Sequence, residues 1–130
     1  MEDELFERGL ATRRAVLGEA YVARSIAGAD AFSMPMQEMV TRHCWGDVWN
    51  RPGLERAQRS LINLAMIAAL NRPHELKVHV RGAVNNGVTR SQIQEVFLQV
   101  AIYCGMPAGL EAFRLAREVF ADMEREETEA

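Results

Sequence analysis

The sequence predicts an all-α protein, a compact single-domain bundle of about six helices. Apolar residues recur at helical spacing, and few β-branched clusters alternate with period two. Turn clusters (Asn50-Arg51-Pro52-Gly53, Asn71-Arg72-Pro73, Asn85-Asn86-Gly87, Gly105-Met106-Pro107) cut the chain into helix-length pieces. At 130 residues, 48% apolar and 25% charged, it can bury one core, and a helical fold of this size gains from self-association.

A first helix is expected from about Asp3 to Leu17, with Leu5, Phe6, Leu10 and Val16 as apolar positions and Gly18 as its stop. Glu19 to Phe32 reads as a turn or a short helix. Ser33 is placed to cap a second helix, with Pro35 in its first turn, running to about Trp49. Met36, Met39, Val40, His43 and Trp49 can share one side of it. A third helix covers Leu54 to about Leu70. Its second half, LINLAMIAAL, is apolar nearly all round, which implies burial on most sides, at the centre of a bundle or under a subunit interface.

Pro73 opens a fourth helix that Gly87 closes in the left-handed conformation. Thr89 and Gln92 form a capping box for a fifth, with Ile93, Val96, Phe97, Val100 and Ala101 as its apolar stripe. A sixth runs from about Ala108 to Glu126, with Phe113, Ala116 and Phe120 inward. Met34, Met36, Met39 and Met66 read as core filler, and Tyr103 and Cys104 as packed at a helix end. The tail Glu124 to Glu129 reads as a solvated, fraying end.

Composition excludes several functions. A net charge of −3, with acids and bases mixed along the chain, offers no basic surface for nucleic acid. The longest apolar run, Leu61 to Leu70, is too short to span a membrane. The opening MEDELFERG has acids where a signal peptide needs bases. Cys44 and Cys104 belong to no CxxC pair and no zinc-like spacing, so reduced thiols in a cytoplasmic protein are expected, with no metal.

The chemistry points to the fourth helix. Glu75 and His79 stand four residues apart on one face, where an acid and an imidazole can share a proton and reach a common substrate. His43 and His74 read as structural or exposed.

Three stretches, TRHCWGDVWNRPGLERAQRSLINLAMIAALNR (Thr41 to Arg72), HELKVHVRGAVNNGVT (His74 to Thr89) and QEVFLQVAIYCGMPAG (Gln94 to Gly109), carry a resemblance to a known family, extended more weakly by RRAVLG (Arg13 to Gly18). The chain resembles the carboxymuconolactone decarboxylase family, and within it the branch acting on 4-carboxymuconolactone. The resemblance implies an alkyl hydroperoxidase D-like fold and a homo-oligomer, a hexamer or a trimer. It implies cofactor-free conversion of a small carboxylated lactone, 4-carboxymuconolactone, to 3-oxoadipate enol-lactone in protocatechuate catabolism. The thiol-dependent relative on this fold uses a CxxCxxxH motif. Aligned on His79, its cysteine positions hold Arg72 and Glu75 here and its upstream glutamate position holds Ser60, which argues against peroxidase chemistry. The chain departs from the decarboxylase pattern at His43-Cys44, where Tyr-Ala is usual, and at Phe113-Arg114, where Phe-His is usual. A related decarboxylation or isomerisation of another small carboxylated compound therefore stays open.

In the lactone reaction the electron pair left by the departing carboxylate spreads onto the lactone carbonyl, so the substrate is its own electron sink. His79 is the candidate general acid or electrophile. Glu75 would orient the imidazole, or donate the proton itself given burial that raises its pKa. Arg72 and Arg59 are candidates for gripping carboxylates. Trp45 and Trp49, one turn apart, could wall the pocket.

Overall fold

The computed structural model describes the backbone of residues 2–129. Among the described residues all regular structure is helical: seven α-helices, a π-helix and a 3₁₀ turn. The count rises from about six to seven because Gly18, at φ 96°, breaks the chain between α1 (Glu2–Leu17) and a separate helix α2 (Glu19–Ala27). Two compact units divide the chain, Met1–Arg56 and Ala57–Ala130.

In the first unit the expected second helix is three segments. Helix α3 (Met34–Met39) widens into a π-helix, Val40–Asp47, and tightens into a 3₁₀ turn, Val48–Asn50. Ser33 does not cap it, since its own backbone is helical. Asp30 does the local work. Its carboxylate accepts the Ser33 and Phe32 N–H groups at 2.9 and 3.0 Å, while the Ser33 hydroxyl accepts the Asp30 N–H. The Ser33 hydrogen bonds hold the exposed Asp30 carboxyl below its usual range.

The π-helix packs on α1 at very close range. A Cβ on Gly9 would lie 1.8 Å from the Thr41 carbonyl oxygen, and one on Gly46 would lie 2.6 Å from that of Leu5. Asn50 closes the end: its amide donates to the Trp45 and Gly46 carbonyls, and its oxygen accepts from Thr12 and Arg56. Arg13, 6% exposed, donates to Gln37 at 2.8 Å and to Thr41 at 3.3 Å. Burial pushes its pKa down.

The second unit holds α5 (Pro73–Asn85), α6 (Arg90–Cys104) and α7 (Met106–Glu129), with α4 (Arg56–Leu70) before them. Its turns follow the expected rules. Asn71 (φ 58°) and Gly87 (φ 87°) take the left-handed conformation after α4 and α5, and the Thr89–Gln92 capping box is complete. The core joins Leu64, Val80, Phe97 and Ala112, all fully buried, with Ile93 and Leu115 beside them. Phe97 meets Phe113 edge-on at 6.2 Å. Gly109 lets α7 cross α6 closely, since a Cβ there would lie 2.5 Å from that of Ala101.

Three expectations fail here for one reason: the chain buries only one face of each helix. On α4, Ser60, Leu64 and Ala68 are buried, but Ile62, Met66 and Leu70 are exposed, so α4 is not a bundle centre within one chain. Met36, Met39 and Met66 are not core filler. Tyr103 and Cys104 are exposed rather than packed. Met36 and Met39 also leave the side they were to share with buried Trp49, because the π turns rotate the later residues away from them. The acidic tail is exposed, as expected, and helical: α7 continues to Glu129, with Arg90 and Arg81 paired to Glu124 and Glu126 at 2.7 and 2.8 Å.

Gly9→Ala forces α1 and the π-helix apart. We expect it to lower the unfolding free energy by roughly 1–3 kcal/mol, read from urea denaturation. Gly53→Ala, with nothing within 4 Å of the new Cβ, should stay within about 0.5 kcal/mol of the parent.

Candidate functional site

Helix α5 sets the site. Leu76, Val80 and Ala83 are buried at spacings of four and three, as a helix packed along one side requires. That register leaves His79 largely buried at the edge of the core. Burial pushes its imidazole below the usual 6.5, and the negative charge of Glu75, one turn earlier, pulls it back up. The structure thus brings this predicted pair into electrostatic contact. The burial required for Glu75 to be the acid itself is missing: its side chain is 56% exposed, with a carboxylate oxygen 3.9 Å from His74 Nε2. Being in the first turn of α5, Glu75 is more open to solvent than His79.

The other predicted residues lie apart from this pair to different degrees. Arg72 is the residue before α5 and is exposed, about 10 Å along the axis from His79. It lines a shallow pit with Asn71, Pro73 and Glu111. Arg59 is partly buried in the first turn of α4, beside fully buried Ser60. Trp45 and Trp49 belong to the first unit, where they stack at 4.8 Å and are 3% and 4% exposed. Of the two departures from the family pattern, His43 is exposed, and Arg114 is tied into a surface cluster with Glu111 and Glu118.

Sequence reasoning missed a buried polar pair. Asn86 donates its side-chain amide to the Ser60 hydroxyl at 2.9 Å, joining the end of α5 to α4. Asn86 lies seven residues after His79 and so returns to the same face. The Asn-Asn-Gly signal was legible only as a helix stop. Cys44 offers little to redox chemistry. Burial pushes the Cys44 thiol up, against a Trp49 hydrogen bond and the Arg13 charge, which keeps it protonated and poorly nucleophilic. Among the described residues the two cysteines form no disulfide, and no three His, Cys, Asp or Glu side chains are grouped to hold a metal ion.

Residues 35–118 match the model of the carboxymuconolactone decarboxylase family. The chain belongs to that family. Among its relatives, the 4-carboxymuconolactone decarboxylase of Acinetobacter baylyi is 41% identical over 122 residues, 94% of this chain and 91% of the relative. The nitrosuccinic acid decarboxylase npaB of Metarhizium robertsii is 44% identical over 119 residues, covering 92% of this chain and 83% of the relative. A 4-carboxymuconolactone decarboxylase of Pseudomonas putida is 44% identical over 46 residues, 35% of this chain and 96% of the relative. The resemblance carried by the three stretches is therefore confirmed at the level of the family, and the fold expected from it is all-α, as observed.

Two measurements check the site's physics without any substrate. An NMR titration should place the His79 midpoint below 6.5, and Glu75→Gln should lower it further by removing the charge that favours imidazolium. Asn86→Ala leaves the buried Ser60 hydroxyl without its amide donor. It should cost about 1–3 kcal/mol of stability, part of which Ser60→Ala recovers in the same background.

Proposed function

We propose that the chain, acting as one domain in the cytoplasm, removes CO₂ from 4-carboxymuconolactone to give 3-oxoadipate enol-lactone without a cofactor, a step of protocatechuate catabolism. The observation that carries this reading is the 41% identity to the Acinetobacter enzyme over 94% of the chain, and the Glu75–His79 pair supplies a chemistry for it. The substrate's carbon–carboxylate bond breaks, and the electron pair passes through the ring double bond to the lactone carbonyl. A proton must then be added at carbon. His79 is the proton donor. Burial disfavours its imidazolium, and the Glu75 charge, joined by the two carboxylates of the bound substrate, favours it. Arg72 and Arg59 hold the carboxylates.

A second reading has a specific observation behind it. The 44% identity to the Metarhizium enzyme favours nitrosuccinic acid or a like compound, in which a nitro group accepts the electron pair in place of the lactone. The departures at His43 and Arg114 lean the same way. Both reactions need one proton delivered to carbon, so His79 serves either.

We also propose a homo-oligomer, a hexamer or a trimer. Ile62, Met66 and Leu70 form an exposed row at four-residue spacing on α4, and Ile102, Tyr103 and Leu110 are each more than 70% exposed. Surfaces of this kind are covered by partners in stable proteins. Met66→Glu should lower the mass measured by light scattering.

The direct test is CO₂ release from each compound by the purified chain. His79→Asn should reduce the preferred reaction about 10²–10⁴-fold. With imidazolium as the acid, kcat/KM falls as pH rises through the free chain's His79 pKa, below 6.5, and Glu75→Gln moves that limb to lower pH. The kcat limb lies at higher pH, since the bound anion stabilises imidazolium. A limb that Glu75→Gln leaves in place removes the role given to the pair.

A further inference from the structure

Between α6 and α7 lies a cleft of about 230 Å³ that contains none of the residues assigned above. Ile93 and Phe97 form its floor, and Phe113 and Phe120 its sides. Arg90 and Arg117 stand at its lip. Arg90 is already occupied: its guanidinium lies 4.5 Å from the centre of the Phe120 ring, and Glu124 takes an ion pair at 2.7 Å. Arg117 is different. Arg81, Arg90, Arg114 and Arg125 each hold a carboxylate, whereas Arg117 has no acidic partner among the described residues. It stands four residues after Phe113 and three before Phe120, so its guanidinium shares their face of α7.

We infer that this cleft is a second ligand site and that it takes a small aromatic carboxylate. A cleft of about 230 Å³ has room for one ring with a carboxylate. Phenyl faces and edges favour a flat ring over a branched chain. An unpaired guanidinium beside apolar walls favours an anion over a neutral compound, because its planar fork matches a carboxylate. The inference is independent of the reaction proposed above.

Benzoate and its neutral isostere benzamide test it, by isothermal titration of the whole purified chain. Benzoate should bind saturably, one per chain, with benzamide about tenfold weaker. Arg117→Gln, a change at an exposed position, should raise the benzoate Kd about tenfold and remove the preference over benzamide. His79→Asn should leave the benzoate Kd unchanged. Without benzoate, Arg117→Gln should release CO₂ at the parent rate. Absence of saturable binding overturns the proposal, as does an Arg117→Gln chain that binds benzoate like the parent. Benzoate affinity that falls in His79→Asn would place the ligand at the α5 pair instead. A drop in assembly mass in Arg117→Gln would make the cleft a contact between copies of the chain.

Discussion

The register of α5 is the constraint on which the second unit's chemistry depends. Pro73 fixes where the helix starts, and Gly87, with its left-handed backbone, fixes where it stops. Between them Leu76, Val80 and Ala83 must face the core, because each is almost wholly withdrawn from solvent. A helix rotated by one residue would expose all three, forfeiting about 1.5–3 kcal/mol for each large side chain. That choice leaves no freedom for the neighbouring row. Glu75 falls near the surface, His79 falls at the core's edge, and Asn86 falls against Ser60. The perturbed imidazole is thus a consequence of hydrophobic packing. Its negative neighbour offsets part of the desolvation that packing imposes.

What could be read from the sequence divides along physical lines. Local rules were legible: the capping box at Thr89, the Gly18 and Gly87 stops and the Pro73 start depend on backbone conformations that few residues satisfy. The pairing of Glu75 with His79 was legible because four residues on a helix is a fixed geometry. The π-helix was not legible. Its wide turns exist because Gly9 and Gly46 let α1 and the second helix nearly touch, a contact between segments more than thirty residues apart. Nor was the exposure of Met36, Met39 and Met66, since hydrophobicity alone does not say whether a face meets its own chain or another molecule. Asp30 displaced Ser33 as the organising residue because its carboxylate can accept two backbone N–H groups at once.

The arginines divide by what they touch. Arg13 is buried among neutral acceptors, Gln37 and Thr41, and so serves the packing of α1 on the π-helix. Arg81 and Arg90 pair with Glu126 and Glu124 on the last turns of α7. Exposed pairs such as Arg114 with Glu118 contribute little each. Arg117 carries the same charge and has none of these duties, beside an aromatic cleft. A long cationic side chain kept unpaired there is explained by a ligand more readily than by the fold.

Both reactions named for the family relatives place little demand on the protein. When the substrate accepts its own electron pair, the chain need only hold anions, exclude water and return one proton. On the reading proposed above, the Glu–His row on α5 serves a lactone or a nitro acid alike, because each compound carries its own electron sink. Selectivity must then come from residues around the pair. The near-equal identities of 41% and 44% are to enzymes with different printed substrates. Total similarity therefore cannot rank the two substrates. The groups that grip the part of the molecule that stays behind can, since they alone distinguish a ring from an open chain.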